Sequence, residues 1–316
     1  MDGGGAIAPV QGVSLEDWGM RVSVVIASAG RPEFIEPLLL RLYKQTVKPC
    51  RVVVVTPSRD DNPLIDQPAD PAAPFLVEHL LSARGLPRQR NVGLERVLDD
   101  CDAVVFFDDD YVPSKRAIEG IIAAFQAFPD VAGISGDLLA DGIHGPGIPL
   151  DDAVQQVDAY DAAYTPKAPE VTRQLSGLYG CNMAIRTERI DENRFDERLP
   201  LYAWQEDADF AGRIPGRKVR VDSFVGVHCG AKRGRERSGR MLGYSQIINP
   251  AYLVRKGSMS LGFALRLSLK NIFANHLKVL APEPWIDRRG RMTGNWLGIA
   301  DLLRGRREPE RVLEFK

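Results

Sequence analysis

Three short apolar runs, each separated from the next by a segment of helical period, constrain this chain more than any other feature. Arg21 to Ser28 (R-V-S-V-V-I-A-S) and Arg51 to Val55 are continuous and β-branched, and Ala103 to Phe107 (A-V-V-F-F) is apolar throughout. Runs this short, without polar alternation, suit strands covered on both faces. Between the first two, Pro32 opens a helix in which Phe34, Ile35, Leu38, Leu39 and Leu42 recur at helical spacing up to Gln45. Thr56 to Pro74 is a Pro- and Asp-rich loop, followed by a short apolar piece near Phe75 to Val77. Gly85-Leu86-Pro87 leads into a helix bearing Val92, Leu94 and Val97, and Ser114 begins another that runs through Phe128. Strands alternating with helices imply a Rossmann-like, mostly parallel central sheet flanked by helices, with ligands bound beyond the carboxyl ends of the strands.

From Val131 onward the pattern shifts to short strands and turns: V-A-G-I-S-G-D, a long Gly/Pro/Asp loop from Asp141 to Pro169, then G-L-Y-G-C-N-M-A-I-R. A helix is expected to begin near Trp204 or Glu206, and Lys218 to His228 alternates as a half-exposed strand. Gly230 to Arg240 is a basic loop suited to folding over phosphates as a lid, or simply to solvation. Helical patterns at Gly243 to Arg255 and Leu261 to Leu280 follow. The expected organisation is a leader over 1–20, an α/β catalytic body over 21–242 and a basic, amphipathic helical extension over 243–316.

A hydrophobic share of 44% in 316 residues is enough for a buried core. No apolar run reaches the length of about 20 residues that spans a bilayer. The start, M-D-G-G-G-A-I-A-P-V, lacks the order of a signal peptide, so the cytoplasm is the expected compartment. Cys50, Cys101, Cys181 and Cys229 are scattered without a C-x-x-C pair and read as reduced thiols. Charge is uneven: residues 1–230 hold 23 Lys+Arg against 35 Asp+Glu, or -12, and residues 231–316 hold 18 against 7, or +11. A basic tail behind an acidic body suits an anionic partner, phosphates or a membrane surface, or a solvated helical face. Leu261, Leu265, Leu269, Ile272 and Phe273 recur there at helical spacing with Arg266, Lys270 and Lys278 between them. Such a segment either lies peripherally on an anionic membrane face or packs on the catalytic body.

Three carboxylates end the third apolar run. In extended backbone Asp108 and Asp110 project to one side and Asp109 to the other, so the useful pair is D-x-D. Hard oxygen ligands at that spacing suit Mg²⁺ or Mn²⁺, bound together with substrate phosphates. An acidic triplet alone also fits a solvated turn, but its place at the carboxyl end of a central strand favours the metal.

On these residues the chain resembles the family 2 glycosyltransferases, inverting enzymes of GT-A fold, in order from Val22 to about Arg307. Arg21 to Pro32 is similar to that family's opening strand and turn, which implies donor contacts from Ser28 and from Arg31 near the pyrophosphate or base. Gly85 to Gly93 resembles its G-x-x-x-x-R-N-x-G helix start, which implies that Arg90 and Asn91 approach the nucleotide. Phe106 to Pro113 (F-F-D-D-D-Y-V-P) resembles its metal and nucleotide motif. This implies Asp108 and Asp109 at the donor, Asp108 holding the ribose or sharing the metal, and Asp110 at the metal. Gly180-Cys181-Asn182-Met183-Ala184-Ile185-Arg186 is similar to its G-x-N-M-x-x-R segment and implies acceptor contacts from Gly180, Asn182 and Met183. Glu206-Asp207 matches the acceptor-site E-D pair, which implies Asp207 as the base and Glu206 as an acceptor contact. His228 matches a histidine that completes the metal site, and Trp204 is placed to stack on a sugar ring. The sequence departs from the family after the second strand, where Thr56-Pro57-Ser58-Arg59 replaces an acidic residue. Asp60, or Asp61, is the substitute at the base.

The resemblance implies a metal-dependent hexosyltransferase of bacterial polysaccharide biosynthesis. It would act on a nucleotide diphosphate sugar and a glycan or lipid-linked acceptor, with no nucleic acid among its partners. A nucleotidyltransferase shares the strand-helix order but usually carries a Gly-rich N-terminal loop, whereas Ala27 to Pro32 has one glycine. A nucleotide-sugar-binding protein without catalysis would have little need of Asp108, Asp110 and Asp207 together. Aspartyl phosphotransferases place D-x-D after the first strand, not the later one used here.

Overall fold

The first apolar run becomes β1 (Val22–Ala27), buried at every residue. The computed structural model describes residues 19–67, 72–232 and 238–315, so the expected leader lies outside the described residues except at its end. Residues 233–237 of the expected lid loop lie outside them too. β1, β2 (Arg51–Thr56), β3 (Leu76–Leu81) and β4 (Ala103–Asp108) form a parallel half-sheet in the order 3-2-1-4. Successive residues of β1 point to opposite faces. Val24 and Ile26 pack with α1 (Ile35–Tyr43) and α3 (Ala117–Ala127), and Val25 packs with α2 (Leu86–Val97).

The second half is mixed. β5 (Tyr111–Pro113), β6 (Val131–Asp141), β7 (Val171–Leu175), β8 (Asn182–Arg186) and β9 (Arg217–His228) continue the same sheet. β8 is antiparallel to both β4 and β6, and β9 runs parallel to β6. The carboxyl ends of β1, β4, β6 and β9 therefore share one edge. β9 was expected to be half-exposed, yet its last five residues are buried. The cause is pairing along both sides, with β6 on one and β7 then β5 on the other.

The expected loop from Asp141 to Pro169 instead contains α4 (Leu150–Ala163). This helix buries only Ala153 and Val157 as apolar anchors, against Val112, Val227 and Cys229. Its third inward residue is Asp161, which accepts from Ser114 Oγ and the Lys115 amide and pairs with Arg41 at 3.3 Å. The inward carboxylate hides the helix from a search for apolar periodicity. After α5 (Glu206–Arg213) and β9, the chain ends in α6 (Gly239–Lys256), α7 (Leu261–Lys278) and α8 (Arg288–Leu303), the last not anticipated. The expected boundary at residue 242 falls inside α6. All four cysteines are free, as the sequence implied.

α3 lies against β9 so closely at Gly120 that a Cβ there would overlap the Ser223 carbonyl oxygen. Gly120→Ala is expected to lower unfolding free energy by about 1–3 kcal/mol through overpacking, read as a shifted denaturant midpoint at constant slope.

Candidate functional site

Three strand ends form the centre of the site. β4 runs into Asp108, Asp109 and Asp110, β6 ends on Asp141, and β9 ends on His228, flanked in the sheet by Tyr111 and Asp141. One oxygen of Asp108, one of Asp110 and a ring nitrogen of His228 lie within 4.8 Å of one another. His228 Nε2 is 3.6 Å from Asp110 Oδ1 and 4.0 Å from Asp108 Oδ2, while its Nδ1 is 2.8 Å from Asp141 Oδ1. Asp110 Oδ1 is buried without a hydrogen-bond partner. Leaving a buried carboxylate oxygen unmatched is costly, so the position calls for a cation. Two carboxylates and an imidazole suit Mg²⁺ or Mn²⁺, and Asp141 fixes the ring from behind as the outer partner of a ligating histidine does.

The middle carboxylate faces away from this cluster. Asp109 accepts from Ser28 Oγ at 2.6 Å and pairs with Arg31 at 2.5 Å. Burial pushes Asp109 up to about 7, against the pull of Arg31. Arg31 also reaches Asp110 Oδ2 at 3.1 Å, and the Ala231 amide donates to the same oxygen at 2.7 Å. Burial would raise Asp110, but Arg31 and the His228 imidazole outweigh it and hold the carboxyl well below the usual carboxylate range. Burial would lower His228, but Asp110 and Asp141 at its two nitrogens leave it pushed up to about 10.

Arg90, 1% exposed, joins the separate parts. Its Nη1 donates to Glu206 Oε1 at 2.6 Å, and its Nη2 donates to Asp108 Oδ1 at 2.8 Å and to the Gly180 carbonyl at 2.7 Å. The Gly180 amide in turn donates to Asp207 Oδ2 at 2.9 Å, and Asp207 Oδ1 accepts from the Ala208 amide at 2.8 Å. Burial lifts Glu206 to about 8 despite Arg90. Burial also raises Asp207, with the Gly180 amide as the main counterweight. On the strand side, Gln89 Nε2 ties the carbonyls of Ser28 and Val55 at 2.8 and 2.9 Å, fastening the ends of β1 and β2 together.

A cleft of about 660 Å³ opens beyond these strand ends. Ser28, Arg31, Asp108, Asp110, His228 and Trp204 line it. The other residues singled out from sequence are not among its lining. Asp60 is exposed, whereas Asp61 accepts from the Gly30 amide at 2.5 Å and from Ser58 Oγ at 2.6 Å. Asn91 turns from the cleft to bind the Phe195 backbone, at 3.0 Å to its carbonyl and 2.8 Å from its amide. Asn182 and Met183, both 0% exposed on β8, face the interior, Asn182 donating to the Gly136 carbonyl. Gly180 and Glu206 are buried, and Asp207 is half-buried.

Two contributors escaped the sequence reading. Asp141 ends a strand in D-G, which looks like a turn. Tyr202 belongs to a segment in which Leu201, Ala203 and Gln205 adopt left-handed φ of 60°, 52° and 78°. Pro200 to Trp204 all line the cleft, Tyr202 and Trp204 as its aromatic members there. Such conformations are unfavourable for these residue types and persist where the surroundings enforce them.

The family model described as glycosyl transferase family 2 matches residues 23–188, from β1 to just past β8. That span holds Arg31, Arg90, the three aspartates and Asp141, but not Asp207 or His228. Among solved structures, S. aureus TarS 1-349 is similar at a TM-score of 0.51 and 16% identity, over 93% of this chain and 82% of that one. The mannosyltransferase PcManGT from Pyrobaculum calidifontis, in complex with GDP-Man and Mn²⁺, is similar at a TM-score of 0.45 and 16% identity, over 93% of this chain and 85% of that one. No curated protein matches the chain.

Removing Arg90 would strand Glu206 and Asp108 without their buried cation. Arg90→Ala is expected to cost about 3–5 kcal/mol of stability, measured by chemical unfolding, whether or not any ligand is present.

Proposed function

The chain belongs to glycosyl transferase family 2 and its fold is of the GT-A type, and on that premise we propose that it moves a hexose, with inversion, from a nucleotide diphosphate sugar to a hydroxyl of a glycan or lipid-linked acceptor in bacterial polysaccharide biosynthesis. The observation that most supports this reading is the unmatched Asp110 oxygen, facing His228 in a cleft at the carboxyl ends of the strands. Asp108, Asp110 and His228 would hold Mg²⁺ or Mn²⁺, which when bound would supply positive charge against a departing diphosphate.

The chain's own residues have distinct tasks in this reading. Arg31, itself paired with Asp109, and the Ala231 amide keep one oxygen of Asp110 engaged, so the other remains available to a ligand. Asp141 holds the His228 ring in orientation. Ser28 and Arg31 meet the donor, and of the two candidates for the base, Asp60 and Asp61, it is Asp61 that binds the Gly30 amide at the edge of the cleft. Trp204 and Tyr202 offer aromatic faces to a sugar. Asp207 takes the proton from the attacking hydroxyl: it is half-buried, its raised pKa moves it toward the range useful to a base, and Gly180 fixes it relative to Arg90 and Asp108. Glu206 is the buried acceptor-side partner that keeps Arg90 in position.

Calorimetric titration with UDP-, GDP- and dTDP-sugars tests the donor and metal assignments. Binding is expected with Mn²⁺, and EDTA or Asp110→Asn is expected to abolish or greatly weaken it, because the carboxylates would otherwise face the phosphates as bare like charges. Undiminished affinity in EDTA overturns the metal assignment.

Asp207→Asn is expected to leave donor affinity nearly intact and lower turnover by about 10²- to 10⁴-fold, the usual contribution of a general base. Turnover within a few-fold of the parent, or donor binding lost in parallel, removes Asp207 from that role and makes Glu206 the next candidate.

A further inference from the structure

Beside an apolar cluster of Tyr244, Ile248 and Val312, the last three helices bury a network of amides where they meet. Gln246 of α6 donates to Asn271 and accepts from Asn275 of α7, both at 2.9 Å. Asn275 donates to Asn295 of α8 at 2.9 Å, and Asn295 donates to the Gly243 carbonyl of α6 at 2.7 Å. Gln246, Asn275 and Asn295 are all buried. Where α6 meets α8 the backbones touch across glycine: a Cβ at Gly243 would overlap the Arg291 carbonyl, and one at Gly294 the Arg240 carbonyl. Close contact over small residues with amide hydrogen bonds as glue is how helices associate where the hydrophobic effect cannot drive them together.

The exterior is the complement. α7 buries only Ala264 and Asn275 of its 18 residues. Leu265, Leu269, Phe273 and Leu277 stand 53%, 61%, 67% and 57% exposed along its outer side, and Trp296 of α8 is 57% exposed. A contiguous apolar face on this scale marks a binding surface. Arg266 and Lys270 stand exposed on the same side, and α7 contains no Asp or Glu. Among the described residues no helix is long and apolar enough to cross a membrane.

We propose that α7, with Trp296 of α8, lies in the plane of an anionic lipid surface, its leucines and Phe273 in the headgroup–acyl boundary and its basic side chains at the phosphates. Charge favours lipid over a second copy, because an isologous pairing of this face would bring two helices together that each present Arg266 and Lys270 and carry no carboxylate. α6 connects the surface to the site, since Met241, Leu242 and Ser245 line the cleft. The corollary that a lipid-linked acceptor reaches the cleft from that surface rests on the transferase reading above.

Flotation of the full chain at low salt tests the docking, with vesicles of phosphatidylcholine containing phosphatidylglycerol and with phosphatidylcholine alone. The parent is expected to rise with the anionic vesicles. Leu269→Glu/Phe273→Glu is expected to lower the bound fraction about tenfold or more, and Arg266→Gln/Lys270→Gln to remove the preference for anionic lipid. Both variants change exposed side chains, so a thermal midpoint and a calorimetric donor affinity equal to the parent's verify that fold and cleft are intact. A parent that stays at the bottom of both gradients overturns the proposal, as does equal flotation of the glutamate variant. A dimer in sedimentation that the glutamates dissociate, without lipid binding, assigns the face to a second copy and also overturns it. Donor binding without flotation leaves the transferase reading standing, and flotation without donor binding does the reverse.

Discussion

The guanidinium of Arg90 is the contact on which the site's geometry depends. It sits at the start of α2, yet its three partners come from the end of β4, the turn before β8 and the start of α5. Asp108 at the first of these elements and Glu206 at the last are both carboxylates, and so near one another they would repel. A planar cation with several fixed donors satisfies both while also reaching a carbonyl, which a lysine in its place would do less well. Gly180 extends the link, because its carbonyl binds Arg90 while its amide binds Asp207. The end of β4, the turn before β8 and the start of α5 are thereby placed relative to one another through a single buried side chain.

The aspartate triplet solves a related problem of crowding. Three adjacent carboxylates are tolerable only if neighbours differ in environment. The turn between β4 and β5 supplies that difference by sending Asp109 to Ser28 and Arg31 while Asp108 and Asp110 face His228. Arg31 spans both sides of the division, so the counter-charge that steadies Asp109 also fixes which oxygen of Asp110 is free. Asp141 does for His228 what Arg31 does for Asp110: it occupies one end of the group and orients the other.

The parts of the fold legible in the sequence were those where one physical rule dominates. Continuous apolar runs gave β1, β2 and β4. The extended path expected through the triplet gives way to a turn at Asp109 and Asp110, which still leaves Asp108 and Asp110 on the side of His228. The unread parts mix signals. α4 turns a carboxylate inward where an apolar residue would have marked its face, and β7 (V-T-R-Q-L) is too polar to stand out until β9 is there to pair with it. Motif spacing named Arg90, Asn91, Asn182 and Met183 but held no information on direction. At a helix start or within a strand, which way a side chain points depends on what packs behind it, and for Asn91 and Met183 that is Phe195 and the core. Asp141 was invisible because its importance comes from the register of β6 against β9.

The run of left-handed residues at Leu201, Ala203 and Gln205 separates backbone from side chain in a way that bears on how relatives of this protein diverge. At those three positions β-branched residues are disfavoured and glycine or asparagine is welcome, so sequence drift is channelled toward residues that preserve the loop's path. At the two positions between them no such restriction applies. The segment is thus a piece of cleft wall whose path is held by the backbone at three positions, while Tyr202 and Trp204 between them bring aromatic side chains to the same cleft as the carboxylates and the histidine.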